Sequence, residues 1–227
     1  NTLGLLEDVT ITVYFTGDEE NAGDPIEVSR GDFIERARQH DVALAFETAH
    51  SLHSVTTARR GASGWILEVE GKQAHSSGIF GNNGFGAIYE TARILNAFRE
   101  NLSTQAYLTF NPGLIAGGSE MNYREEKQMA TVSGKTNIIS PKTVVIGDLR
   151  FLTEDQKESA RDSMRSIVAG NLPGTKASIR FSDGIPSMPP TKGNSALASM
   201  VNTISEAMGA GSVVEGNPGA RGAGDIS

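Results

Sequence analysis

Cysteine is absent from the 227 residues, which excludes disulfides, thiolate metal sites and cysteine nucleophiles while leaving the redox compartment open. Aromatic residues are scarce, at 6%, and the charge balance lacks any positive excess: 20 Lys and Arg face 27 Asp and Glu, a net −7. No basic stripe is available to neutralise phosphates, so a nucleic-acid partner is not expected. Nor is there a run of about 18 apolar residues, so no membrane partner is expected either. What the chain does have is apolar material (38%) sufficient for a large core, and 26 glycines, an excess that predicts tight turns and close backbone approaches. The start at Asn1 and the stop within Gly222-Ala223-Gly224-Asp225-Ile226-Ser227 read as an internal piece of a longer chain.

The first segment predicts an α/β style. Val9, Ile11, Val13 and Phe15 alternate with Thr10, Thr12, Tyr14 and Thr16, a strand pattern that ends at Gly17-Asp18-Glu19-Glu20. Ser29, with Asp32 three residues on, predicts a capped helix through Glu35 and Ala37. Val42-Ala43-Leu44-Ala45-Phe46 then forms a short apolar run closed by Glu47. Short apolar strands alternating with helices imply a buried, mostly parallel sheet, and such sheets take ligands beyond the carboxyl ends of their strands. Glu19, Glu20 and Glu47 fall there.

From Arg59 the character changes. Strands are predicted over 65–70, 105–110, 142–149 and 178–182, with helices over 84–101 and from Thr153 to Gly170. The order β-α-β-β-α-β is that of a ferredoxin-like unit, self-contained enough to be inserted into another domain. An amphipathic helix carrying Leu197, Met200, Val201, Ile204 and Met208 follows and stops at Gly209. The expected division is 1–58, 59–183 and 184–227.

Few residues can carry chemistry. Adjacent carboxylates such as Glu19 and Glu20 suit a metal site, one as ligand and the other as base toward metal-bound water, and they equally suit a solvated acidic turn. Glu47 would add an oxygen ligand that fits Zn or Mn without choosing between them. His40 belongs at a helix C-terminus, His50 and His53 in a loop, and His75 on a rim before a Gly-rich turn. Gly81-Asn82-Asn83-Gly84-Phe85-Gly86 matches neither nucleotide-binding pattern and is expected to be a plain loop-to-helix turn. No G-x-S-x-G occurs, so a serine elbow has no support.

Taken in order, Thr16-Gly17-Asp18-Glu19-Glu20, Ala45-Phe46-Glu47, Gly71-Lys72-Gln73-Ala74-His75-Ser76-Ser77-Gly78, Gly117-Gly118, Thr136-Asn137-Ile138-Ile139, Asp148-Leu149-Arg150 and Gly222-Ala223-Gly224-Asp225 resemble the co-catalytic zinc metallopeptidases. That family includes glutamate carboxypeptidase, acetylornithine deacetylase and succinyl-diaminopimelate desuccinylase. The resemblance implies a zinc-peptidase α/β domain, present in part, with an inserted ferredoxin-like dimerisation lid at 59–183. It implies Glu19 as general base, Glu20 and Glu47 as ligands on two zinc ions, and His75 as a lid histidine reaching the partner's site to support the oxyanion. Asn137 and Arg150 would hold the substrate, a small peptide or N-acyl amino acid, with Arg150 on its carboxylate.

Some family features lack a counterpart. The His-x-Asp pair, the bridging Asp and the last His ligand would lie outside this piece, so two zincs are expected only in the parent and an incomplete set here. Ser140 replaces the proline after Asn137-Ile138-Ile139, Ile185 stands where glutamate-specific members carry Arg, and Gly224 stands where many have Ser or Thr. Two further readings stay open: a non-catalytic dimerisation and binding scaffold, and a metal-free ferredoxin-like metabolite binder. Measured zinc per chain separates the first of these from the enzyme.

Overall fold

The computed structural model describes residues 6–17, 23, 25–49 and 51–227. The chain divides into two compact units, residues 1–46 with 224–226, and residues 47–223 with 227. In the first, α1 (Ile26–Ser29) and α2 (Gly31–Ala37) follow one another. In the second come β1 (Ser54–Val55), β2 (Gly61–Gly71), α3 (Gly86–Leu102), β3 (Thr109–Gly118), β4 (Glu120–Arg124), β5 (Met129–Ser133), β6 (Lys142–Phe151), α4 (Glu154–Ala169), β7 (Thr175–Asp183), α5 (Lys192–Ala207) and β8 (Val214–Glu215).

The centre of the second unit is β2. Its strict alternation puts Trp65, Leu67 and Val69 on one face, all buried, while Glu68 and Glu70 take the other. Antiparallel ladders to β6 on one side and β7 on the other occupy β2 along its length, and β3 pairs outside β6. The order β3-β6-β2-β7 is that of a ferredoxin-like sheet. Helices α3 and α4 cover the face carrying Trp65 and Leu67 with Ile94, Phe98, Leu102, Ala160, Met164 and Val168. Helix α4 begins as its sequence predicts: the Thr153 hydroxyl accepts from the Gln156 amide (3.1 Å), and the Gln156 side-chain carbonyl accepts from Leu152 N–H (2.9 Å).

One element was not anticipated. Between β3 and β6 the chain inserts the hairpin β4–β5, which packs back on β3 and β6. Glu125, beyond β4, takes both terminal nitrogens of Arg180 on β7, at 2.5 and 2.7 Å. Because β3 and β7 are opposite edges, the hairpin crosses the sheet face that the helices leave open, and Val144 is buried on that side. The signal was present as the alternation of Met121 with Tyr123 and of Ala130 with Val132.

Several expectations for the first segment fail. Residues 9–16 and 42–46 form no strand, and the mostly parallel sheet is absent among the described residues, where the one parallel pair is β1–β8. Alternation makes a segment extended, but a strand also requires a ladder partner, and a buried parallel strand needs both faces covered. Here Phe15 is 90% and Phe46 96% exposed. Ser29 does not cap α2, whose N-cap is Arg30 without a side-chain cap; Asp32 instead accepts from Arg36 Nε (2.9 Å) and from the Tyr14 hydroxyl (3.1 Å). The strand expected over 105–110 starts later, at Thr109, after turns closed by Gln105 N–H to Leu102 O and Leu108 N–H to Gln105 O.

Leu67 is completely buried between the sheet and both helices. Leu67→Ala is expected to cost about 2–5 kcal/mol, read as a lowered urea midpoint at unchanged slope; a cost below about 0.5 kcal/mol would mean that β2 is not the core strand.

Candidate functional site

Two ends of one sheet carry the predicted lid residues. At the end where β2 finishes and β6 begins, His75 forms a bridge with Ile138, Ser76 N–H donates to Asn137 O (2.9 Å), and Ile139 N–H to Ala74 O (2.9 Å). His75 and Asn137 are therefore brought side by side, both exposed. The Ser77 amide donates to His75 Nδ1 (3.2 Å), and the Ser77 hydroxyl lies 2.8 Å from the same nitrogen. An amide can only donate, so Nδ1 accepts and the neutral ring carries its proton on Nε2. This end presents a ring N–H donor. We call it the tip.

Arg150 sits at the other end, the root. It pairs in register with Ala62 of β2 and Thr109 of β3, on the face opposite the helices, and its Nε donates to Asp148 Oδ2 (3.0 Å). Eight residues of β6 separate Lys142 from Arg150, about 27 Å at strand rise. One copy of this sheet cannot bring His75 and Arg150 to the same small molecule.

Beside the root the two linkers cross. Arg59 and Met188 exchange main-chain hydrogen bonds (2.9 and 3.0 Å), and Ala62 N–H donates to Ile185 O (2.9 Å). The Arg59 side chain, almost fully buried, donates through Nη1 to Glu47 Oε2 (2.5 Å), through Nε to Gly222 O (2.7 Å) and through Nη2 to Ala223 O (3.1 Å). Arg221 Nη2 adds a bond to Thr48 O (2.6 Å). Arg60 spans Thr109 Oγ1 (3.2 Å) and Gly219 O (3.1 Å). Sequence reasoning missed Arg59 and Arg60; the signal was two adjacent arginines immediately before a strongly alternating strand.

Glu47 closes no strand but carries a hydrogen-bonded carboxylate. A ligating carboxylate is normally oriented by a neighbouring donor, and Arg59 Nη1 supplies such a donor to Glu47. Glu19 and Glu20 lie outside the described residues, as does His50. Among the described residues no group of three or more His, Asp or Glu could hold a metal ion. His40 caps α2, with Nδ1 2.9 Å from Arg36 O and Nε2 2.9 Å from Thr12 Oγ1, and His53 Nδ1 lies 3.2 Å from Ser212 O. In the 81–86 turn the amides of Gly84, Phe85 and Ala87 donate to Gly81 O, Pro173 O and Ser140 O, which leaves them no anion to hold.

The family model of the peptidase dimerisation domain matches residues 57–176. The chain belongs to the M20 zinc metallopeptidase family. Among solved structures it is similar to aminopeptidase PepT from Bacillus cereus (15% identity, 79% of this chain and 43% of that one, TM-score 0.56). It is also similar to a tripeptidase from Staphylococcus aureus (15% identity, 76% and 41%, TM-score 0.54) and to an amidase of the hydantoinase/carbamoylase family from Burkholderia phymatum (14% identity, 75% and 38%, TM-score 0.52). The chain thus spans about two fifths of the length of these solved relatives. No curated protein sequence matches it. No described helix is long and apolar enough to cross a membrane.

Next to the root, α4 and β7 are tied by charge. Asp183 accepts from Arg161 (2.6 Å) and Lys157 (3.3 Å), and Glu154 accepts from Ser187 N–H (3.1 Å) while pairing with Lys157 (2.7 Å). The Arg161 guanidinium, against some burial and with Lys157 assisting, holds the Asp183 carboxyl below its ordinary value of 3.8. A carboxyl depressed in the folded state stabilises it at every pH above that ordinary value and loses the contribution as pH falls through the folded value. The stability gap between the protein and Asp183→Asn, measured in urea, is expected to be open at pH 7 and to close below about pH 4; a gap independent of pH would contradict this pairing.

Proposed function

We propose that the protein of which this lid is part is a metal-dependent, zinc-using amidohydrolase or exopeptidase that cleaves an amide or peptide bond next to a free carboxylate, and that it works as a homodimer through residues 59–183, flanked by catalytic-domain segments 1–58 and 184–227. Glu20 and Glu47 would hold metal. Bound there, the cation would acidify water and draw charge from the amide carbonyl oxygen. Glu19 takes the proton from the attacking water and returns it to the leaving amine. The Arg150 fork grips the substrate carboxylate with two parallel hydrogen bonds, which fixes which amide is presented. His75 donates from Nε2 to the oxyanion as it develops, and Asn137 beside it holds the same substrate.

The observation that carries this reading is the tip: an exposed imidazole whose Nδ1 is committed to Ser77, leaving Nε2–H as a donor, at the far end of the sheet from Arg150. Since one sheet cannot bring both to one substrate, a complete site takes Arg150 from one copy and His75 with Asn137 from the other. The family membership and the similarity to an aminopeptidase, a tripeptidase and an amidase agree with amide hydrolysis.

Complementation tests it. His75→Ala and Arg150→Ala homodimers are each expected to lose at least about a hundredfold in kcat/KM, whereas a refolded equimolar mixture recovers about a quarter of wild-type activity, because each mixed dimer contains one intact site. A mixture as inactive as its components would contradict the shared site. Glu19→Ala should abolish turnover at near-normal metal content, and full activity in that variant would refute its role as base.

A further inference from the structure

We propose that Arg59 is a positioning residue: its buried guanidinium locks the Glu47 carboxylate and the Gly222–Ala223 main chain to the linker crossing at the root of the lid, making them one mechanical piece. The inference rests on the reading of Glu47 as a ligand, but it concerns a residue that the family match does not assign. Three observations support it. Arg59 uses all three guanidinium nitrogens on acceptors from two segments that are far apart in sequence, Glu47 on one and the adjacent Gly222 and Ala223 on the other. Its own main chain is fixed in the crossing by two hydrogen bonds with Met188. Arg221 staples the same two segments a second time through Thr48 O.

A planar fork with one charge-assisted bond and two carbonyl bonds has little freedom, so the carboxylate it holds has little freedom either. A flexible glycine pair of residues, Gly222 and Gly224, flanks Ala223 and would otherwise let that segment wander. A shift of the linker crossing would be transmitted through Arg59 to Glu47. Lysine could keep the charge near Glu47 but cannot reach the two carbonyls at the same time.

The test compares wild type, Arg59→Lys and Arg59→Met in the full chain, with two independent readouts. Amide hydrogen exchange over 47–48 and 222–224 is expected to speed up at least about tenfold in Arg59→Met and less in Arg59→Lys, while the β2 and β6 amides stay protected. Zinc affinity, measured by chelator competition, is expected to fall about 10–100-fold in Arg59→Met, the usual cost of losing the partner of a ligating group. Exchange and affinity both unchanged overturn the inference. Faster exchange at unchanged zinc affinity in the full-length parent protein upholds the mechanical role of Arg59 and instead refutes Glu47 as a ligand. If Arg59→Met does not fold, Arg59→Lys decides: unchanged exchange at 222–224 in that variant overturns the proposal.

Discussion

The double hydrogen-bond ladder of β2 is the constraint on which everything else in the second unit depends. A strand paired on both sides from Ser63 to Glu70 cannot slip by one residue without turning Trp65, Leu67 and Val69 to the wrong face. That fixed register sets the position of Arg150 relative to Ala62 and Thr109. It also fixes where β2 ends, and so where the loop bearing His75 meets the one bearing Asn137. The sheet acts as a strut whose length keeps two chemically different ends apart.

The two ends differ in chemistry. At the tip, short turns and a bridge between residues 75 and 138 display an imidazole and an amide to solvent, with Ser77 choosing the ring tautomer. At the root, arginines dominate: Arg59, Arg60 and Arg150 lie within a few residues of the linker crossing, two of them committed to backbone carbonyls and one to Asp148. Carboxylates in the same region are held charged by their partners, as Arg161 does for Asp183. The part-exposed Arg150 fork has the chemistry to meet an anionic group, and a ring N–H donor has that to meet an oxygen that gains charge.

Legibility in the sequence followed burial. Trp65-Ile66-Leu67-Glu68-Val69 read correctly as a strand because both its pairing and its buried face are supplied within the same unit. Thr153 and Gln156 read correctly because capping is local. Val9–Phe15 and Val42–Phe46 carry comparable patterns, yet pattern alone cannot supply the neighbours a sheet needs, and they form no strand. The hairpin at 120–133 escaped notice because its apolar positions are few and polar residues surround them. Arg59 escaped for a different reason: a buried arginine is defined by acceptors 12 and more than 160 residues away, which no local spacing reveals. His75, Asn137 and Arg150 were singled out one by one through resemblance. Their arrangement as two distant ends became visible only with the strand register.

The absence of native cysteine makes the strut directly measurable. Spin labels on cysteines introduced at positions 75 and 150 of the same chain, diluted into unlabelled protein so that only distances within one copy are read, report the separation of tip and root. A narrow distribution centred at about 25–35 Å is predicted from strand rise. A population below about 15 Å would place both residues at one site within a single copy and contradict the account.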